Sequence, residues 1–121
     1  MQIEVVQNFI SRKVDAIVLA PLDDVALVNP VKSATARGIK VVIIDSGLKS
    51  EDYVSFASTD NYVGGKMGAK RLAEIMKGKG KALMLRYAEG SASTMKVQSV
   101  MLLAMVVISS NVNLQLMVYV L

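Results

Sequence analysis

The chain is 121 residues long, enough for one domain or a piece of one, and 53% of its residues are hydrophobic, so it can build a core. Cysteine and histidine are absent, which excludes disulfides, thiolate nucleophiles, imidazole bases and ordinary zinc sites. The formal charge of +4 is spread over interleaved basic and acidic residues with only 5% aromatics, which offers nucleic acid neither a basic stripe nor a stacking platform.

The opening MQIEVVQNFI carries Glu4 early, no basic stretch and no small-residue cleavage site, so it does not read as a signal peptide. It reads as the middle of an amphipathic helix, with Ile3, Val6 and Ile10 on one face, Val5 and Phe9 flanking it, and Arg12–Lys13 at its C-terminal end. That beginning is a first sign of a truncated chain. DAIVLA, residues 15–20, is an apolar run of strand length stopped by Pro21. Asp23 or Asp24 then offers an N-cap oxygen to a helix whose inner face is Leu27, Val31 and Ala34. Pro30 has no backbone N–H to donate, so this helix either kinks there or starts near Asn29. Gly38 is a natural stop, and KVVIID is the next strand.

YVSFAS, residues 53–58, is a further short strand, after which Thr59, Asp60 and Asn61 all suit the cap of a third helix. Its inner face is expected to be Gly65, Gly68, Ala69, Leu72, Ile75 and Met76, the glycines letting it lie close to a sheet. KGKGK ends that helix as a solvated turn, and ALML is again a strand. Strands alternating with amphipathic helices predict an α/β fold, three α/β/α layers around a mainly parallel sheet. Parallel strands covered on both faces are continuously apolar, and these runs fit that pattern. No residue after Lys96 is charged. There VMLLAMVVI fits a helix or a strand, SSNVN a turn and LQLMVYVL a strand, and the densest apolar block falls short of the roughly 20 residues a membrane span needs. The methionines read as core filler.

Three strand ends carry the polar chemistry: PLDD, DSGL and RYAEGSAST. Neighbouring strands of a parallel sheet deliver their C-terminal loops to one rim, where ligands bind. Asp23, Asp24, Asp45, Ser46, Arg86, Glu89 and Ser91 can therefore meet on one edge, and ionised carboxylates there suit a polyhydroxylated ligand. Helix capping is the competing role of Asp23 and Asp24, and a turn carboxylate that of Asp45. TDNYVGGKMG has neither the spacing of a P-loop nor that of a dinucleotide fingerprint, and helix–sheet packing explains its glycines better.

VDAIVLAPLDDVALVNPVKSATARGIKVVIIDSGL, followed by VSFASTDNYVGGKMGAKRLAE and GKGKALMLRYAEGSAST, resembles the periplasmic sugar-binding proteins of the ribose-binding type. These type I periplasmic binding proteins are the substrate-binding subunits of ABC importers. The resemblance runs from about Gln2 to Thr94 and holds in order and spacing. It implies two α/β lobes that close on a sugar, with Asp45 on the position that binds sugar hydroxyls; Ser46 and Glu89 are the expected weaker contributors. Asp60 and Asn61 match a DN pair of the family with a mainly structural role. The resemblance implies no enzyme chemistry, no cofactor and no metal. The partners it implies are a small-molecule sugar and, in a full-length protein, an ABC permease, without nucleic acid and with the membrane reached only through the permease. A periplasmic or cell-surface location follows from the same likeness.

Ser46 stands where ribose-type members often carry arginine, which argues against ribose itself. MKVQSV stands where the family shows an arginine–glutamate pair. The expected organisation is therefore an incomplete fold: residues 1–94 form part of an N-terminal sugar-binding lobe running towards the hinge and second lobe, and 95–121 a divergent uncharged tail, a shifted reading frame or an eroded gene copy being explanations for it. The alternative function on this fold is the effector-binding domain of a lactose-repressor-type regulator, which needs an upstream helix-turn-helix. An enzyme or a non-functional fragment ranks below both, and an uncovered sheet edge is expected to favour aggregation.

Overall fold

The computed structural model describes residues 1–86, 90–108 and 112–118, with side chains described for 1–84, 90–103. The elements run α1 (Gln2–Ser11), β1 (Ala16–Leu19), α2 (Val28–Thr35), β2 (Lys40–Ile44), β3 (Ser55–Ala57), α3 (Asn61–Ile75), β4 (Gly80–Arg86), α4 (Ala92–Ile108) and β5 (Val112–Val118). They form two compact units. Met1–Ser58 with Gly90–Ala92 is the first, and Thr59–Glu89 with Ser93–Leu121 is the second. The division follows packing, whereas the last charge of the sequence, Lys96, lies inside α4.

In the first unit the strand order is β1-β2-β3 and both pairings are parallel, Ile17 beside Val41 and Ile43 beside Phe56. Ile17, Leu19, Val41 and Ile43 are buried together with Val6 and Ile10 of α1 and Val31 and Ala34 of α2. The strands alternate instead of being apolar and covered throughout. β1 reads exposed–buried–exposed–buried, with Val18 66% exposed, and in β2 Ile44 also faces out, while the short β3 is exposed throughout. One face of this sheet is thus packed and the other is open, the pattern of a strand covered on one side. β1 is an edge strand among the described residues, flanked by an apolar cavity of about 390 Å³ whose lining includes Val5, Phe9 and Val18.

Ile3, expected on the inner stripe of α1, is 40% exposed, and burial begins one turn later at Val6. α2 begins at Val28, so Pro30 sits in the first turn, where its missing N–H would have no intrahelical partner anyway. Three helices end in the same way. Val14 N–H donates to Phe9 O and Lys13 N–H to Ile10 O; Ile39 to Ala34 and Gly38 to Thr35, and Gly78 to Ala73 and Lys77 to Glu74, repeat the pattern. The left-handed residue is glycine only at Gly38 (φ 82°); Lys13 (φ 54°) and Lys77 (φ 51°) take it elsewhere.

In the second unit β4 and β5 pair in parallel, Gly80 with Val112 through Arg86 with Val118. VMLLAMVVI belongs to helix α4, and the SSN segment at 109–111 lies outside the described residues. No described helix is long and apolar enough to cross a membrane. Asp60 caps α3, its Oδ1 accepting from Tyr62 N–H and Val63 N–H at 3.0 Å each. Asp60→Ala is expected to cost about 1 kcal/mol of stability by leaving those donors unpaired, read from the shift of a urea-unfolding midpoint; an unchanged midpoint would deny the cap a role.

On α3, Gly65, Ala69 and Ala73 are buried while Ile75 is 63% exposed and Gly68 meets nothing. The expected glycine-to-sheet contact is replaced by a helix–helix one. A Cβ on Gly65 would lie 3.0 Å from Val97 O and 3.3 Å from Val97 Cα, both backbone atoms of α4.

Candidate functional site

Two of the three polar strand ends meet at the C-terminal rim of the first unit, and the residues after the third join them. Parallel pairing sends the exits of β1 and β2 the same way. After β1, Asp23 Oδ1 accepts from Val25 N–H at 2.9 Å and Ala26 N–H at 2.7 Å, which closes the turn ahead of α2. These two backbone donors, with the charge of Lys49 assisting, hold the Asp23 carboxyl below the usual range. A depressed carboxyl favours the fold above its ordinary range, and this contribution disappears as the pH falls through the lowered value.

Asp24 joins the two loops. Its N–H donates to Gly90 O at 3.0 Å, its C=O accepts from Lys49 N–H at 2.8 Å, and its carboxylate pairs with Lys49 Nζ at 3.2 Å. Asp23 and Asp24 are thus occupied structurally, but neither is the expected cap of α2: its N-cap is Leu27, without a side-chain bond, while Asp23 closes the turn before it and Asp24 pairs with Lys49.

Asp45 differs. It follows the last residue of β2 and extends the ladder by one bond, its N–H donating to Ala57 O at 2.9 Å. Its backbone φ is positive, 61°, an uncommon value for a residue other than glycine. Ser46 N–H then returns to Ile44 O at 2.7 Å, which makes the exit sharp. The Asp45 side chain is exposed and has no hydrogen-bond or ion-pair partner among the described residues. Its carboxylate is not tied up by its own backbone, and both oxygens are open to a ligand.

Ser46 is only 3% exposed and Ser91 6%. Gly47 lies beside them in sequence and space: a Cβ built there would stand 3.8 Å from Ala92 Cβ and 3.9 Å from the Phe56 ring. The rim therefore gathers Asp45, Ser46, Asp23, Asp24 and the Gly90–Ala92 segment. Arg86 ends β4 in the other unit, without a described side chain, and Glu89 lies outside the described residues. Sequence reasoning missed Lys49, whose pairing depends on a loop conformation that no spacing encodes. No group of three or more acidic residues that could hold a metal exists among the described residues.

The family model described as a periplasmic binding protein domain matches residues 1–114, a stretch that runs well into the uncharged segment. The chain is 36% identical over 75 residues to the D-xylose-binding periplasmic protein of Escherichia coli, a match covering 62% of this chain and 23% of that protein. It is 34% identical over 90 residues to the ribose import binding protein of Bacillus subtilis, covering 74% and 29%. The chain thus spans about a quarter of the length of these relatives. Among solved structures, an ABC transporter solute-binding protein of Agrobacterium vitis with bound D-fucose is 38% identical with a TM-score of 0.84, over 96% of this chain and 40% of that one. A carbohydrate transporter solute-binding protein of Agrobacterium radiobacter in complex with D-arabinose is 28% identical with a TM-score of 0.88, over 98% and 41%.

Proposed function

This chain belongs to the periplasmic binding protein domain family, and from that premise we propose that it is part of a sugar-binding subunit of an ABC-type importer. In this reading it binds a pentose or deoxyhexose without converting it, in the periplasm or at the cell surface, and the loaded protein is recognised by a membrane permease. The observation that carries it is the open Asp45 carboxylate at the exit of β2, exposed and without a protein partner among the described residues. An ionised carboxylate offers two oxygens to neighbouring sugar hydroxyls, and such charge-assisted bonds are stronger than neutral ones. Ser46 supports the loop from beneath, because a side chain this buried contributes to its shape more than to an open ligand surface. Glu89 remains a proposed lesser contact by the family likeness. The names of the similar proteins, which bind xylose, ribose, D-fucose and D-arabinose, support this class of ligand.

Isothermal titration of the protein expressed from its full coding region, with these four sugars, tests the reading. Binding of at least one is expected. Asp45→Asn keeps the shape and removes the charge, and is expected to weaken that binding about tenfold or more, as loss of 1.4 kcal/mol or more would. Unchanged affinity would remove Asp45 from the site.

A further inference from the structure

We propose that Asp23 and Asp24 are positioning residues for this rim, and that they act by seating the Gly90–Ala92 turn against the Asp45–Gly47 loop. The inference rests on the sugar-binding reading and adds to it the residues that fix one side of the site. The turn belongs to the first unit although the residues on either side of it belong to the second, so its own contacts hold it there. Asp24 N–H donates to Gly90 O at 3.0 Å. Gly90 has φ 81°, and a Cβ on it would stand 2.5 Å from Asp23 Oδ2 and 3.2 Å from Asp23 Cγ. Glycine is thus required twice, for its left-handed backbone and for close approach to the Asp23 carboxyl group. Asp23 cannot easily yield, because its other oxygen is engaged by Val25 and Ala26 N–H. Asp24 is fixed in turn by Lys49, through a backbone bond at 2.8 Å and an ion pair at 3.2 Å with the Asp24 side chain 19% exposed. Beyond Gly90, Ser91 is buried and Ala92 reaches Gly47, two residues from Asp45. One continuous set of contacts runs from the Asp23–Asp24 turn through Gly90–Ala92 to the loop that carries Asp45.

A double-mutant cycle on Asp23 and Gly90 tests this, read by hydrogen exchange at the Asp24 amide and by sugar affinity. Gly90→Ala is expected to speed Asp24 exchange about tenfold or more and to weaken sugar binding by a similar factor, with the thermal midpoint little changed. Asp23→Ala removes the two atoms nearest the added methyl, and leaves a Cβ at 3.7 Å. In that background Gly90→Ala should therefore have a smaller effect on both readouts, the residue of it reflecting backbone strain alone. Equal effects in the two backgrounds, or unchanged Asp24 exchange in Gly90→Ala, would overturn the seating itself whatever the sugar result. Exchange that follows the cycle while sugar affinity stays constant would overturn the positioning role and leave the sugar-binding reading intact. A wild-type protein that binds none of the four sugars would remove both.

Discussion

Ile43→Ala is expected to lower the unfolding free energy by about 2–5 kcal/mol, the range for truncating a fully buried aliphatic side chain. Ile43 has no exposed surface and lies in the central strand, with Leu19 opposite in β1 and Phe56 opposite in β3. Its side chain is on the packed face, where α2 covers β2. The lost methylene and methyl groups leave a space that strands held on both sides cannot close. A domain is typically stable by only about 5–15 kcal/mol, so this one truncation removes a large share. Ile44→Ala is the internal comparison. Ile44 is 38% exposed on the opposite face, so the same deletion one residue along should cost clearly less. Urea unfolding followed by circular dichroism gives both values. Equal losses at the two positions would mean that the open face of the sheet is covered in solution.

That comparison bears on what the sequence made legible. Strands at 15–20 and 40–45 were readable because β-branched runs ended by Pro21 and Asp45 admit few other structures. Their parallel direction followed from the intervening helix. Whether one face or two are covered was not readable, since VVII satisfies either and the answer depends on packing between distant residues. Apolar periodicity marked the stripe of α1 at Val6 and Ile10 but not where the stripe's partner stops, so Ile3 was misplaced. In α4 nearly every residue is apolar after Lys96, which leaves no periodicity from which to read a face. The caps divided similarly. A cap at Thr59, Asp60 or Asn61 was legible from its place before an amphipathic run, and the structure selects Asp60, whereas the left-handed Lys13 and Lys77 were not legible, because nothing in a lysine announces that conformation. At the rim, Asp45 was legible as a carboxylate at a strand exit. The roles of Asp24 and Lys49 were not, since they arise from loops that meet only in the folded chain.

The glycines of α3 give the second large expectation, and it separates two reasons for a glycine in a helix. Gly65→Val is expected to destabilise the second unit by about 1–3 kcal/mol, as overpacking does. The first atom of the new side chain would already be 3.0 Å from Val97 O and 3.4 Å from Val100 Cβ, and the nearest obstacle is backbone that cannot rotate away. Gly68→Ala, one turn along the same helix, is expected to act in the opposite direction. No atom lies within 4 Å of its added Cβ, so the change only restricts the unfolded chain and improves helix propensity, a gain of about 0.5–1 kcal/mol. Both substitutions replace glycine in one helix, so intrinsic propensity alone predicts stabilisation from each. Opposite signs in thermal or urea unfolding can come only from the approach of α4. Stabilisation by Gly65→Val would show that the two helices stand further apart than the 3.0 Å contact requires.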